Sequence, residues 1–256
     1  MRKYSSRALV AASMAALALL SCDPRDPIAT DPLDDAALAL LPGIPELPAP
    51  GDFVDPSGDP NPYLPLVRGT VYTYQADTED GLEETVVTVT NQNKTILGIV
   101  ATVVLDEVYL GGSLIEQTFD WFAQDRWGNV WYLGEESCEF EEEGGPCNPA
   151  GSWEAGVSGA EAGIVMWADP AAHQGKTYRQ EFFEGEAEDL GKVLRTGISV
   201  SVPAGDYHDC IETMDWSPLE PGGREQKYYC AGTGRVLEVS MRGGNVRNEL
   251  VSVVWP

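Results

Sequence analysis

From Thr70 to Val254 the chain is a succession of short β-branched and aromatic runs cut by turn formers, and no window holds a 3.6-residue apolar period. The runs are Thr70–Ala76, Glu84–Thr90, Thr95–Tyr109, Ser113–Ala123 and Val130–Cys138. After a looser middle come Tyr178–Phe183, Val193–Val202, Asp206–Trp216, Arg224–Cys230, Arg235–Met241 and Arg247–Val254. Between them lie Asp80-Gly81, Asn91-Gln92-Asn93, Gly111-Gly112, Gly144-Gly145-Pro146, Pro203-Ala204-Gly205, Pro221-Gly222-Gly223 and Gly243-Gly244, which supply the φ values that strands avoid. Many short strands at this spacing predict an all-β fold, a single antiparallel β-barrel or sandwich over residues 61–256.

The sharpest hairpin is Asp120–Glu135. Gln124 to Asn129 is its turn, with Asp125 placed to accept backbone N–H groups and Gly128 to take the left-handed position. Alternation puts Phe119, Trp121 and Ala123 on one face and Asp120, Phe122 and Gln124 on the other.

The N-terminus reads as a targeting segment. Arg2, Lys3 and Arg7 precede an apolar run, Ala8–Leu20, broken only by Ser13. That run is shorter than the roughly 20 residues of a spanning helix and fits a signal peptide over residues 1–21. It ends in Leu19-Leu20-Ser21-Cys22, which resembles a bacterial lipobox, so Cys22 is the expected lipidation site and the membrane an expected partner. The alternative is cleavage after Ala16-Leu17-Ala18 with Cys22 a spare thiol. Asp23 resembles the inner-membrane retention signal of enteric lipoproteins, which leaves inner against outer membrane open. Residues 22–60 then form a tether dense in proline and aspartate, expected to be disordered.

Four further cysteines in an exported chain point to two disulfides. If Asp206–Trp216 pairs with Arg224–Cys230 about a turn near Glu220, Cys210 faces Cys230, at a separation a disulfide spans. Cys138 and Cys147 would then close the acid-rich loop between them. The rival, a zinc site helped by His173 or His208, lacks the short spacing of a zinc knuckle. No cofactor is expected.

The formal charge is −25, and loss of the three basic residues with the signal peptide takes it to −28. Nucleic acid is therefore not an expected partner. The acids cluster at 77–84, 135–143 and 181–189, read here as a solvated rim, with calcium binding as the alternative. No motif of nucleophilic, zinc-protease or nucleotide chemistry is present, and no catalytic residue is assigned. Trp121, Trp131, Tyr132 and Trp153 are candidate ligand-binding residues, because the aromatics exceed what a small core needs.

Asn61-Pro62-Tyr63-Leu64-Pro65-Leu66, Asp120–Glu135, Tyr178–Glu181 with Gly185–Asp189, and Pro218-Leu219-Glu220-Pro221 together resemble an uncharacterised group of bacterial secreted proteins and lipoproteins. The resemblance implies export and no particular activity. Lipocalins are a comparison only, since Val71 stands where their first strand carries tryptophan. The expected function is that of a non-enzymatic cell-envelope lipoprotein binding an unknown envelope ligand or protein. The alternatives are a carboxylate-dependent extracellular glycan hydrolase and a calcium-dependent adhesion module.

Replacing Cys22 by serine is expected to abolish labelling by a fatty-acid analogue and to release the chain from membranes, because stable anchoring needs more than one acyl chain and lipoprotein maturation supplies them at this residue. Full membrane retention with labelling intact would remove the lipoprotein reading.

Overall fold

A computed structural model describes residues 41–141, 144–241 and 245–256. The signal peptide, Cys22 and the first half of the tether lie outside the described residues. In chain order the strands are β1 (Phe53–Val54), β2 (Val71–Thr78), β3 (Gly81–Ile96), β4 (Ile99–Leu110), β5 (Ser113–Asp125), β6 (Val130–Glu139), β7 (Trp153–Glu154) and β8 (Glu161–Met166). Then follow β9 (Thr177–Arg179), β10 (Glu181–Phe182), β11 (Leu190–Val202), β12 (Gly205–Trp216), β13 (Glu225–Cys230), β14 (Gly234–Ser240) and β15 (Val246–Val254). The architecture is all-β, as the alternating runs require.

Thirteen of these strands form one sheet in the order β10-β8-β6-β5-β4-β3-β2-β15-β14-β13-β12-β11-β9, and every pairing in it is antiparallel. Its two edge strands, β9 and β10, are separated in the chain by the single residue Gln180. The sheet therefore curls until its edges meet at one covalent link, forming a barrel. Gly163 on β8 lets that link pass, since a Cβ there would lie 2.5 Å from the Gln180 carbonyl and 2.6 Å from the Arg179 oxygen.

One cluster lines the interior, with Tyr72, Tyr74, Val89, Val104, Ile211, Val236 and Leu250 among its members. A second gathers Trp121, Trp131, Leu133 and Trp153 with Ile96, Ile99 and Ala155. β5 supplies both: Asp120 and Phe122 belong to the interior, and Trp121 and Ala123 to the second cluster. The Asp120–Glu135 turn has the expected form. Asp125 Oδ1 accepts from the N–H groups of Trp127 and Asn129, Oδ2 accepts from Trp131 Nε1, and Gly128 is left-handed.

Three expectations need correction. Asn91-Gln92-Asn93 is not a turn but a register irregularity inside β3, and the chain reverses instead at Leu97-Gly98, both at positive φ. The middle of the chain holds β7 and β8, which the pattern missed; β8 is glycine-interrupted and short. The folded domain also begins before Asn61. Leu47 and Phe53 pack on the second cluster, β1 pairs with β5, and Arg179 Nε donates to the Pro42 carbonyl. Proline density removed helix and central strand from this segment, but it left an edge strand and apolar anchors available.

Asn61 starts a strap across one end of the barrel. Its amide donates to the carbonyls of Gly128 and Trp167, its own N–H is accepted by Gln124 Oε1, and Gly232 N–H donates to Pro62 further along.

The disulfides are Cys138–Cys147 and Cys210–Cys230, and the second joins directly opposed residues of β12 and β13. Cys210 and Cys230 are fully buried in the interior cluster. A Cys210/Cys230 double-serine variant is expected to lose about 3 kcal/mol, or roughly 6–12 °C in melting temperature, and the Cys138/Cys147 variant clearly less, because opening the latter exposes only a surface loop. Calorimetry of the two variants checks the ranking, which a larger loss in the Cys138/Cys147 variant would reverse.

Candidate functional site

A cavity of about 140 Å³, open on one side, lies in the barrel interior. The apolar part of its lining comes from the strap (Leu64, Leu66) and from Val87, Val89, Val104 and Phe122. The polar part carries Asp106 from β4, Asp120 from β5, Asp215 from β12, Lys227 from β13 and Arg235 from β14. The closing link adds Gln180, β10 adds Glu181, and Asp189 joins them from the residue before β11, its carbonyl accepting from Gln180 N–H.

These acids are inside because strand alternation puts every second residue there. Each of the three acidic clusters sends a carboxyl inward: Glu83 is 3%, Glu135 1% and Glu181 3% exposed, and Asp189 of the third cluster also lines the cavity. Their neighbours Asp80, Glu136 and Glu184 are exposed. The reading of the clusters as a solvated rim is thus corrected for half their logic. Strand residues of alternating parity cannot all face water.

β6 carries a bulge that shapes the site. Asp120 pairs with Glu135 but Phe122 pairs with Tyr132, so one extra residue lies on β6 between them. Gly134 takes it up at φ +133°, and a Cβ there would lie 2.3 Å from the Trp153 carbonyl oxygen. The bulge resets the parity, so Tyr132 and Glu135, three apart in sequence, both turn inward. Tyr132 Oη then stands 2.6 Å from Asp120 Oδ1 and 2.9 Å from Glu135 Oε2. A phenol has one hydrogen, so it can donate to only one carboxyl. The other contact requires a proton on the carboxyl itself.

The electrostatics agree. Burial, reinforced by Glu181 and Asp120, holds Glu135 well above the usual carboxylate range. Burial pushes Asp120 up to about 7 against the pull of the Tyr132 hydrogen bond. Burial likewise raises Asp106 to about 7, with Arg235 opposing and Glu238 adding to it, and Glu83 to about 7 with Glu238 and Asp106 adding. Burial lifts Glu116 to about 8, helped by Asp106 and Glu139, and Glu225 to about 8, helped by Glu238 and opposed by Lys227.

The buried bases already have partners. Lys227 Nζ lies 3.2 Å from Asp215 Oδ2 and 3.3 Å from Glu225 Oε2, and Arg235 Nη1 lies 2.6 Å from Glu238 Oε2. The Arg235 guanidinium also covers the Tyr74 ring at 4.6 Å. Asp106 Oδ1 and Asp215 Oδ1, by contrast, are buried without a hydrogen-bond partner among the described residues.

Of the four aromatic candidates, Tyr132 alone lines the cavity. Trp121, Trp131 and Trp153 are at most 5% exposed within the second cluster, and Trp153 stands edge-on to the Tyr132 ring at 5.3 Å. Asp106, Asp215, Lys227 and Arg235 were not singled out by sequence reasoning. The available signal was a charged residue at inward parity within an apolar run, as in Val103-Val104-Leu105-Asp106. His173 stacks on Trp167 at 3.7 Å, and His208 Nδ1 meets the Ser199 hydroxyl at 2.9 Å. No group of three or more His, Cys, Asp or Glu side chains is arranged to hold a metal among the described residues.

No family model and no curated protein matches the chain. Two solved structures resemble it. One, from Bacteroides fragilis, is named as an exported protein with a YmcC-like fold; identity is 16%, coverage 76% of this chain and 99% of that one, and TM-score 0.44. The other, from Parabacteroides distasonis, is named as a lipoprotein; identity is 12%, coverage 77% and 100%, and TM-score 0.40. At this identity and score neither likeness carries an inference about function.

The raised carboxyls set a pH dependence. In the folded state they keep protons that the unfolded chain gives up near pH 4, so the native state binds more protons and stability falls as pH rises. The window runs from about 4.5 to about 8, bounded by the ordinary values and by Glu116 and Glu225. Calorimetry is expected to give a melting temperature at pH 5.5 roughly 5 °C or more above that at pH 8.5. A melting temperature that rises over this interval would contradict the assignment.

Proposed function

We propose that this chain is an exported lipoprotein, held in the cell envelope through Cys22, whose barrel binds a small molecule in its interior without transforming it. The observation that carries the reading is the cavity itself, with an apolar wall of valines and aromatic rings and carboxyl oxygens that lack partners. A few polar groups converging on a concave, largely apolar space is the usual make-up of a ligand site. The volume corresponds to about ten water-sized spheres, room for a compact ligand and not for an envelope protein. The anchor rests on the lipobox and on the basic and apolar segments before it.

The glycan-hydrolase alternative requires two carboxyls set across a cleft that admits a sugar ring. Asp120 and Glu135 instead share one phenol inside the barrel. The calcium alternative gains no support from the acid clusters, whose inward members are spread over separate strands.

Ligand-observed NMR with a fragment panel tests the reading on the full-length chain. Val87 lines the cavity and is half-buried, so Val87→Phe fills space there with little strain on the wall. Fragments that bind the parent and lose at least about tenfold in affinity for Val87→Phe are expected. If no fragment binds, or binding survives the substitution unchanged, the interior is not the site.

A further inference from the structure

Among the residues lining the cavity, five are acids (Asp106, Asp120, Glu181, Asp189 and Asp215) and two are bases, Lys227 and Arg235. Both bases are consumed by ion pairs within the wall. The charged groups left facing the space are therefore carboxyls. Two of their oxygens are specific: Asp106 Oδ1 and Asp215 Oδ1 are buried with no partner among the described residues, in residues 9% and 4% exposed. An acceptor left unpaired in a low-dielectric interior is costly, and the complement it lacks is an N–H donor, best a charged one.

The chain itself shows which groups the interior accommodates. The ammonium of Lys227 sits between two carboxyls at 5% exposure, and the Arg235 guanidinium is clamped between Glu238 and the face of Tyr74. Each is a nitrogen cation held by a carboxyl, and one also by an aromatic face. Tyr72 and Tyr229 bring further rings to the same lining.

Resting on the reading that the interior binds a small molecule, we propose that its ligand is a compact organic cation carrying ammonium or guanidinium N–H donors, with Asp106 and Asp215 as its carboxyl partners. An anion would meet the surplus of acids. A bare divalent metal needs several oxygens converging on one point, an arrangement absent among the described residues. An organic cation uses both halves of the lining: carboxyls take its donors, and rings and valines take its methylenes.

The test is calorimetric titration of the full-length chain in detergent at pH 8 with four probes of similar size: 1,4-diaminobutane, agmatine, butane-1,4-diol and succinate. At least one of the two cations is expected to bind and to raise the melting temperature, with neither diol nor succinate doing so. Asp106→Asn keeps the side-chain shape and removes the charge, and it should weaken the cation roughly tenfold, as should Val87→Phe. Binding of diol or succinate as tight as that of the cations overturns the proposal, as does cation binding indifferent to Asp106→Asn, which marks a surface effect. Absence of binding by all four overturns it as well. Fragments that still depend on Val87 would in that case leave the interior-binding reading standing, whereas fragments indifferent to Val87 would remove both.

Discussion

The structure depends on a seam one residue wide. A thirteen-strand antiparallel sheet left open would expose two edges and have no inside. Here Gln180 carries the chain from the last strand of the order to the first, and the closure is sterically possible because Gly163 presents no Cβ to the Arg179–Gln180 backbone. The link also contributes chemistry. Gln180 Nε2 donates to Asp215 Oδ2 at 3.4 Å, and Glu181 and Asp189 arrive at the cavity wall beside it. Closure turns the inner faces of the strands from a surface into an interior, and every polar residue of inward parity must then find a partner or lose its charge.

That requirement explains the interior. Burying an ionised carboxylate without a counter-charge is far more costly than burying a neutral one. Lys227 and Arg235 pair the charges of Asp215, Glu225 and Glu238, leaving Asp215 Oδ1 without a hydrogen bond among the described residues. Among the described residues, Asp120, Glu135, Glu116 and Asp106 have no cation in contact, and protons are the remaining means of neutralising them. The Tyr132 phenol makes the same point by counting hydrogens, since it contacts two carboxyls and can donate to one. Protons and an organic cation are alternative occupants of one electrostatic need, which is why the acid surplus and the cavity are parts of one feature.

Much of the fold was legible in the sequence. The Asp120–Glu135 hairpin, its capping Asp125 and the opposition of Cys210 to Cys230 all follow from local turn chemistry and register, which act over few residues. The Leu97-Gly98 reversal was hidden because leucine rarely takes positive φ and the asparagines six residues earlier looked the better turn. β8 was hidden because Gly163 weakens its pattern for a reason visible only in three dimensions, the passage of the closing link. The site was the least legible part. Whether a strand carboxyl points in or out depends on a parity that bulges reset, and at Gly134 one glycine decides that Glu135 joins Tyr132 inside.

The barrel keeps carboxyl groups neutral around Tyr132. Infrared spectroscopy of the full-length chain at pH 7 reads this directly, through the C=O stretch of protonated carboxylic acids, which ionised carboxylates lack. A protonated-acid band is expected at pH 7, persisting above the pH at which surface acids have ionised and losing intensity in Glu135→Gln. A spectrum at pH 7 with no such band, or a band unchanged by Glu135→Gln, would contradict that neutrality.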